Sequence, residues 1–254
     1  MDAVRDAAAE QFTSAGGMPR YELAEWHVEY GVVAGITARD GELDFNLGPG
    51  PPDSTAMARW QSLPGGVGSG FSGVVVGRQT HGTGLGTHKR CSGRVLIRES
   101  LDGHLTSEPG LLLAVTVADC VPIYLLEPRS TTMALLHAGW RGIAAGILEA
   151  GVQHLCELAK VPPSDLVMHC GVGICGSCYE VGPEVFEAVR GQRPKGLAQL
   201  DLREDLAARA RGVGLRCITL SPWCSCHDGE RFFSHRRSGG TDGRMVAYLG
   251  RPAA

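Results

Sequence analysis

Residues 111–159 read LLLAVTVADCVPIYLLEPRSTTMALLHAGWRGIAAGILEAGVQHLCELA, and this stretch decides the fold. Three short apolar runs come first, at 111–117, 122–126 and 132–137. Each is too short for a stable helix and rich in Leu, Val or Ile, which predicts buried strands. Then the period changes. Ile143, Ile147, Leu148, Val152, Leu155 and Leu158 recur every three or four residues, so 142–159 is predicted as one long helix with a single apolar stripe. Pro162 and Pro163 stop it.

Working outward, further strands are predicted at 32–37, 73–78, 94–98, 166–172 and 215–220, and helices at 54–63, 183–190 and 202–211. Several strands precede the first long helix, which suits an α+β fold better than a strictly alternating, doubly wound sheet. The chain has 254 residues, enough for a large core without staples. Gly- and Pro-rich stretches at 48–53 and 64–73 read as loops inside one domain, because apolar patterns resume on either side. The expectation is a single domain over 21–254, with 1–20 a loose N-terminal arm, since 1–17 is small and polar.

The charge balance is 24 basic to 27 acidic residues, a net −3, with no basic run. This argues against a nucleic-acid or membrane-surface binder. The first eleven residues lack a cationic segment followed by an apolar one, and no apolar run approaches the ~18 residues of a membrane span. A cytoplasmic protein with reduced cysteines is therefore expected. Nine Cys and nine His then ask for metal or thiol chemistry. Only Lys89, Lys160 and Lys195 are lysines; the other basic residues are Arg, the side chain suited to bidentate recognition of phosphate or carboxylate.

Three predicted strand ends each present one soft ligand: His81 in RQTHG, Cys120 in ADCVP and His137 in HAGWRG. Two imidazoles and a thiolate make a three-ligand zinc set with its fourth position open, the mark of a catalytic rather than a structural site. The same residues also read as a metal-free Cys120 nucleophile with His137 or His81 as its base, or as a buried Cys with two hydrogen-bonded His. Asp119 interrupts an apolar stretch, and a buried carboxylate there needs partners. His137 precedes a predicted helix start, where Gly139, Gly142 and Arg141 would suit an anion. Cys175, Cys178, Cys224, Cys226 and His227 are candidate ligands of a second, structural zinc. The tail, from Arg231 through Arg236 and Arg237 to Arg244, sets Arg around a Gly-rich turn and would clamp an anion or form a surface hairpin.

The motifs GRQTHG (77–82), TVADCVPIYLLEP (116–128), LLHAGWRGIAAGI (135–147), CYEVGPEV (178–185) and RFFSHRRSGGTDGRM (231–245) occur in this order. Together they resemble the YfiH-type laccase-domain family, also labelled polyphenol oxidase and regarded as purine nucleoside phosphorylases. The resemblance covers nearly the whole chain, roughly 31–249. It implies a central β-sandwich of mixed sheets with outer helices. It implies one zinc per chain on His81, Cys120 and His137, phosphorolysis of adenosine, inosine and methylthioadenosine, and deamination of adenosine. The older label implies copper and phenolic substrates, but no HxH pair of the multicopper kind occurs here.

On that reading Asp119, Cys120 and His137 are the catalytic candidates, with Glu180 a second choice beside Asp119 for moving a proton. Arg39, Arg141, Arg236 and Arg237 are the phosphate candidates. Asn46, Gln79 and Tyr179 are the candidates for base or ribose. A nucleoside binder without turnover is a further class. The chain departs from the family pattern in a shorter loop before Asn46, in His235 where a Tyr is typical, and in Asp242 where a small or hydroxyl residue is common.

Overall fold

A computed structural model describes residues 10–40, 43–48, 50–89 and 94–253. In chain order these form β1 (Gln11–Thr13), β2 (Arg20–Glu22), α1 (Ala24–Tyr30), β3 (Val33–Thr37), α2 (Ser54–Val67), β4 (Gly73–Arg78), β5 (Leu85–Thr87), β6 (Arg94–Glu99) and β7 (Gly103–Thr106). Then come β8 (Leu111–Val117), β9 (Val121–Leu126), β10 (Met133–Ala138), α3 (Trp140–Ala144), α4 (Ile147–Ala159) and β11 (Val167–Cys170). The rest are β12 (Glu180–Val181), α5 (Pro183–Arg190), β13 (Ala198–Gln199), α6 (Leu202–Gly212), β14 (Cys217–Leu220), α7 (His235–Ser238) and β15 (Met245–Gly250).

Two mixed sheets carry the fold. One has seven strands in the order β1-β2-β3-β15-β8-β4-β6, the other six in the order β14-β11-β9-β10-β7-β5. Alternate strand residues point to opposite faces, so an unbroken apolar strand must be covered on both sides. Leu111, Leu113, Val115 and Val117 of β8 therefore meet Tyr124, Leu126, Met133 and Leu135 of β9 and β10 between the sheets. Leu112 and Ala114 face the other way, onto Trp60, Leu63 and Val67 of α2. On the second sheet, Ile123, Leu125, Ala134 and Leu136 face Ile147, Leu148, Val152 and Leu155 of α4. The result is four layers: helix, sheet, sheet, helices. This is the expected sandwich of mixed sheets with outer helices.

The long helix expected over 142–159 is instead two, α3 and α4. Gly146 takes φ 88°, a left-handed conformation that an α-helix cannot propagate through. The apolar stripe survives the break, because Ile143 and Ile147 both stay in the outer core. The expected arm also differs from Glu10 onward; residues 1–9 lie outside the described residues. β1 pairs with β2, and buried Glu10 accepts from Ser221 Oγ (2.7 Å) and sits 3.0 Å from His169 Nε2. β15 was not among the expected strands, yet it lies between β3 and β8 inside the larger sheet.

Candidate active site

The topology brings three strand ends to one rim. β4 runs parallel to β8, so their C-terminal ends lie together. The chain leaves β8 through a tight turn at Asp119 (φ 86°) and crosses to β9 in the other sheet. β10 is antiparallel to β9, with His137 opposite Pro122, so its end returns to the same place. His81, Cys120 and His137 consequently meet, and their ligand atoms lie within 4.8 Å of one another. The two imidazole centroids are 4.8 Å apart at 79°. Gly139 leaves room for them: a Cβ there would stand 2.9 Å from His81 Cδ2 and 3.0 Å from Cys120 Sγ.

Asp102, in the turn before β7, organises this cluster, and the sequence analysis missed it. It is fully buried. Its Oδ1 accepts from His81 N (2.9 Å) and faces His137 Nδ1 (2.9 Å). Its Oδ2 accepts from Thr80 N (3.0 Å), Thr80 Oγ1 (3.1 Å) and Gly82 N (2.9 Å). One carboxylate thus holds the 80–82 turn, in which His81 takes φ 60°, and fixes the neighbouring imidazole. Burial pushes the Asp102 carboxyl up, but the bonds from His137, Gly82 and Thr80 outweigh it and hold it down at about 2.

Cys120 and His137 perturb each other. Burial pushes the Cys120 thiol up, but the charges and hydrogen bonds of His137 and His81 bring it down to about 6. Burial pulls His137 down, but the Cys120 thiolate and the Asp102 hydrogen bond raise it to about 9. Without metal the pair is a thiolate beside an imidazolium. With Nδ1 spent on Asp102, His137 offers Nε2 as its ligand atom. Two imidazoles and a ready thiolate, one imidazole oriented by a carboxylate, suit a borderline-soft divalent ion.

The cluster lines a cavity of about 550 Å³, within the usual range of small-molecule sites. Of the expected residues, Asn46, Gln79, Asp119, Arg141, Tyr179 and Arg236 also line it. Asn46 Oδ1 accepts from Gly48 N (3.1 Å) and keeps its amide NH₂ for substrate, whereas Gln79 and Asp119 are fully engaged elsewhere. Gln79 is spent on Thr116, its Oε1 accepting from Thr116 N (2.7 Å) and its Nε2 donating to Thr116 O (2.8 Å). Asp119 accepts from Ser225 Oγ (2.7 Å) on one oxygen and from Arg236 N (2.6 Å) on the other. It fastens two loops rather than facing the cavity as a free acid.

Arg236 stacks on the Tyr179 ring at 4.9 Å and donates to Glu180 O (2.8 Å). Arg141 is exposed and stacks on Trp140 at 4.3 Å. Burial above all raises the Tyr179 phenol to about 12. Arg39, Arg237 and Glu180 are not brought to the cavity lining. Asp242 accepts from Arg237 (2.9 Å), from Arg39 (3.3 Å) and from Ser234 N (3.0 Å). The Asp242 carboxylate therefore ties these two guanidinium groups into the loop. Arg78, His235 and Arg244 also line the cavity; each lies inside a quoted motif, and Arg244 closes the Arg-rich tail expected to clamp an anion, but none was assigned to substrate.

The profile of the family described as multi-copper polyphenol oxidoreductase laccase matches residues 40–252. The chain belongs to this family, whose YfiH and YlmD members share its fold. The crystal structure of YlmD from Geobacillus stearothermophilus superposes with a TM-score of 0.84 at 28% identity, over 96% of this chain and 99% of that one. In sequence, "Purine nucleoside phosphorylase YlmD" of that organism is 39% identical over 164 residues, 59% of this chain and 60% of the relative. "Purine nucleoside phosphorylase YfiH" of Shigella flexneri is 30% identical over 250 residues, 91% of this chain and 99% of the relative. "Adenosine deaminase RL5", from an unknown prokaryotic organism, is 36% identical over 160 residues, 58% of this chain and 60% of the relative. The match thus spans under two thirds of the length of YlmD and RL5. Among the described residues, no helix is long and apolar enough to cross a membrane.

Proposed function

We propose that the chain is a zinc-dependent purine nucleoside phosphorylase acting on adenosine, inosine and methylthioadenosine, and that it also deaminates adenosine in the cytoplasm. One observation carries the reading: a single nucleoside-sized cavity joins the His81, Cys120 and His137 donors to Arg141 and Arg236. The relatives named for phosphorolysis and for deamination support it.

His81, Cys120 and His137 would hold the zinc, which when bound supplies Lewis acidity at the cavity wall. Asp102 keeps His137 in one tautomer and orientation. Arg141 and Arg236 bind phosphate and offset its charge against the electron-rich nucleoside. In phosphorolysis an oxygen of hydrogen phosphate bonds to the anomeric carbon while the bond to the purine nitrogen breaks, and the departing base takes up the proton that the phosphate gives up. Tyr179, whose phenol stays protonated at neutral pH, positions substrate beside Arg236, and Asn46 contacts the base or ribose. Arg39 and Arg237 act on the loop through Asp242 rather than on phosphate. Gln79 and Asp119 shape the wall, their polar atoms being already engaged.

His81, Cys120 and His137 would also suit copper, whose electron-transfer sites of this donor type often recruit a Met or Gln. No Met lines the cavity among the described residues, and Gln79 is held by Thr116. These points favour zinc. The test is base release from inosine with and without phosphate, with metal analysis of wild type and His81→Ala. Phosphate-dependent release that His81→Ala abolishes, together with one zinc equivalent, is expected. Equal release without phosphate would overturn the phosphorylase reading.

A second reading rests on the Cys120 thiolate and His137 imidazolium: a metal-free Cys–His hydrolase. It requires a fully active metal-free protein that a thiol alkylator inactivates.

A further inference from the structure

We infer a second metal site, a structural zinc held by Cys175, Cys178, Cys224 and His227, which braces the wall of the catalytic cavity. The ligand atoms of these four residues lie within 4.8 Å of one another, and none of them belongs to the His81 cluster. A tetrahedral zinc sets its donors roughly 3.4–3.8 Å apart, so the set needs to close by only about 1 Å. The chain supplies them as two matched pairs, Cys175-Gly-Ser-Cys178 and Cys224-Ser-Cys-His227. Each pair has two residues between its ligands, the loop length from which structural zinc sites are built. The structure thus selects His227, not Cys226, as the partner of Cys224. That choice could not be made from the sequence, where 224, 226 and 227 were equal candidates.

The backbone is already arranged for anionic sulfur. Cys175 caps a short 3-10 turn, Gly176–Cys178, which carries its second thiol. Cys224 pairs with Gly173 in an isolated parallel bridge that sets the two loops side by side. Cys224 Sγ accepts from two main-chain donors, Cys175 N (3.3 Å) and His227 N (3.4 Å). Cys175 Sγ lies 3.5 Å from His227 Nδ1 and 3.1 Å from Ser177 Oγ. Two carboxylates pin the loops from outside: Asp201 accepts from Gly176 N (2.9 Å) and Asp228 from Cys224 N (3.0 Å). All three thiols are free. Cys226 is free as well and its thiol hydrogen-bonds Cys178, but it stands outside the four-donor set that one tetrahedral ion would use.

The position gives the site its role. Ile174 and Tyr179 flank the first pair, and both line the cavity. Ser225, inside the second pair, donates to Asp119 Oδ1 (2.7 Å). The ion would join two loops that otherwise meet through one bridge and a few hydrogen bonds, and so hold Tyr179 and Asp119 in register.

The test is zinc content per chain after gel filtration, for wild type, His81→Ala and Cys175→Ser/His227→Ala. Two equivalents in wild type and one in each variant are expected. One equivalent in wild type that His81→Ala leaves in place would uphold the brace while removing the zinc proposed for the catalytic cavity. Zinc unchanged by Cys175→Ser/His227→Ala overturns the inference, as does a Cys175–Cys178 disulfide in zinc-supplied protein. If that variant is insoluble, cobalt titration of metal-stripped His81→Ala/Cys120→Ser decides. A strong thiolate-to-cobalt charge-transfer band is expected from the three remaining ligand thiols, and its absence overturns the site.

Discussion

Asp102 and His137 are bound to each other twice. The carboxylate Oδ1 lies 2.9 Å from His137 Nδ1, and the Asp102 carbonyl accepts from His137 N at 2.7 Å. A substitution that removes the charge leaves the backbone bond in place, so the two contributions separate.

Asp102→Asn should weaken the metal bound by His81, Cys120 and His137 by about 10–100-fold, measured by competition with a chelator. The variant should also be less stable at neutral pH by about 2 kcal/mol, from a carboxyl at about 2 against its ordinary 3.8. The folded value is depressed, so this stability is present above pH 3.8 and lost as pH falls through 2. Denaturant titrations across that window should show wild type losing its advantage over the variant. Parallel curves would remove Asp102 from this role.

Gly139→Ala tests the packing around the donors. Gly139 has φ −83°, an ordinary backbone conformation for alanine, so any effect comes from the new methyl group. That methyl would press on His81 Cδ2 and Cys120 Sγ. Metal at this centre should be lost with a stability cost of about 1–3 kcal/mol. Undiminished metal content would show that the donors can shift to accommodate it.

Metal uptake should release protons. Between pH 6 and 9 Cys120 is already a thiolate while His137 still carries its extra proton. Binding must expel that proton, so this pair contributes about one per ion. Calorimetry of Cys175→Ser/His227→Ala, which lacks the second site, at pH 7.5 in two buffers of different ionisation enthalpy measures the number. A value near zero would contradict the ion pair.

The arginines divide into two kinds. Arg141→Ala should raise the KM for phosphate, because its guanidinium stands at the cavity on Trp140. Arg237→Ala should leave that KM largely unchanged and lower the melting temperature, because Arg237 donates to Phe232 O, Ser225 O and Asp242. A phosphate KM that rises with Arg237→Ala alone would reverse the assignment.

How much of this was legible depends on the range of each interaction. β4, β8 and α5 coincide with their expected bounds, because unbroken apolar runs or local caps define them. The His81, Cys120 and His137 cluster was readable because each residue breaks an apolar pattern at a strand end. Asp102 was not. It stands in a polar turn, where an Asp needs no explanation, and its partners lie 21 and 35 residues away. The break in the long helix was masked because the apolar stripe continues across Gly146. β5 contains Gly and β7 contains Gly and His, and both owe their place to neighbours rather than to composition. Arg39 and Arg237 were misplaced for a related reason: nothing local reveals that Asp242 takes both.

The burial of β15 between β3 and β8 fixes an order of events during synthesis. Until residues 245–250 leave the ribosome, β3 and β8 have no strand between them, and the larger sheet exists as two pieces with bare edges. Bare edges of this kind invite mispairing, and the chain carries them until β15 slots in. His235 and Arg236 of the cavity emerge just ahead of that strand, so the pocket and the sheet are completed almost together.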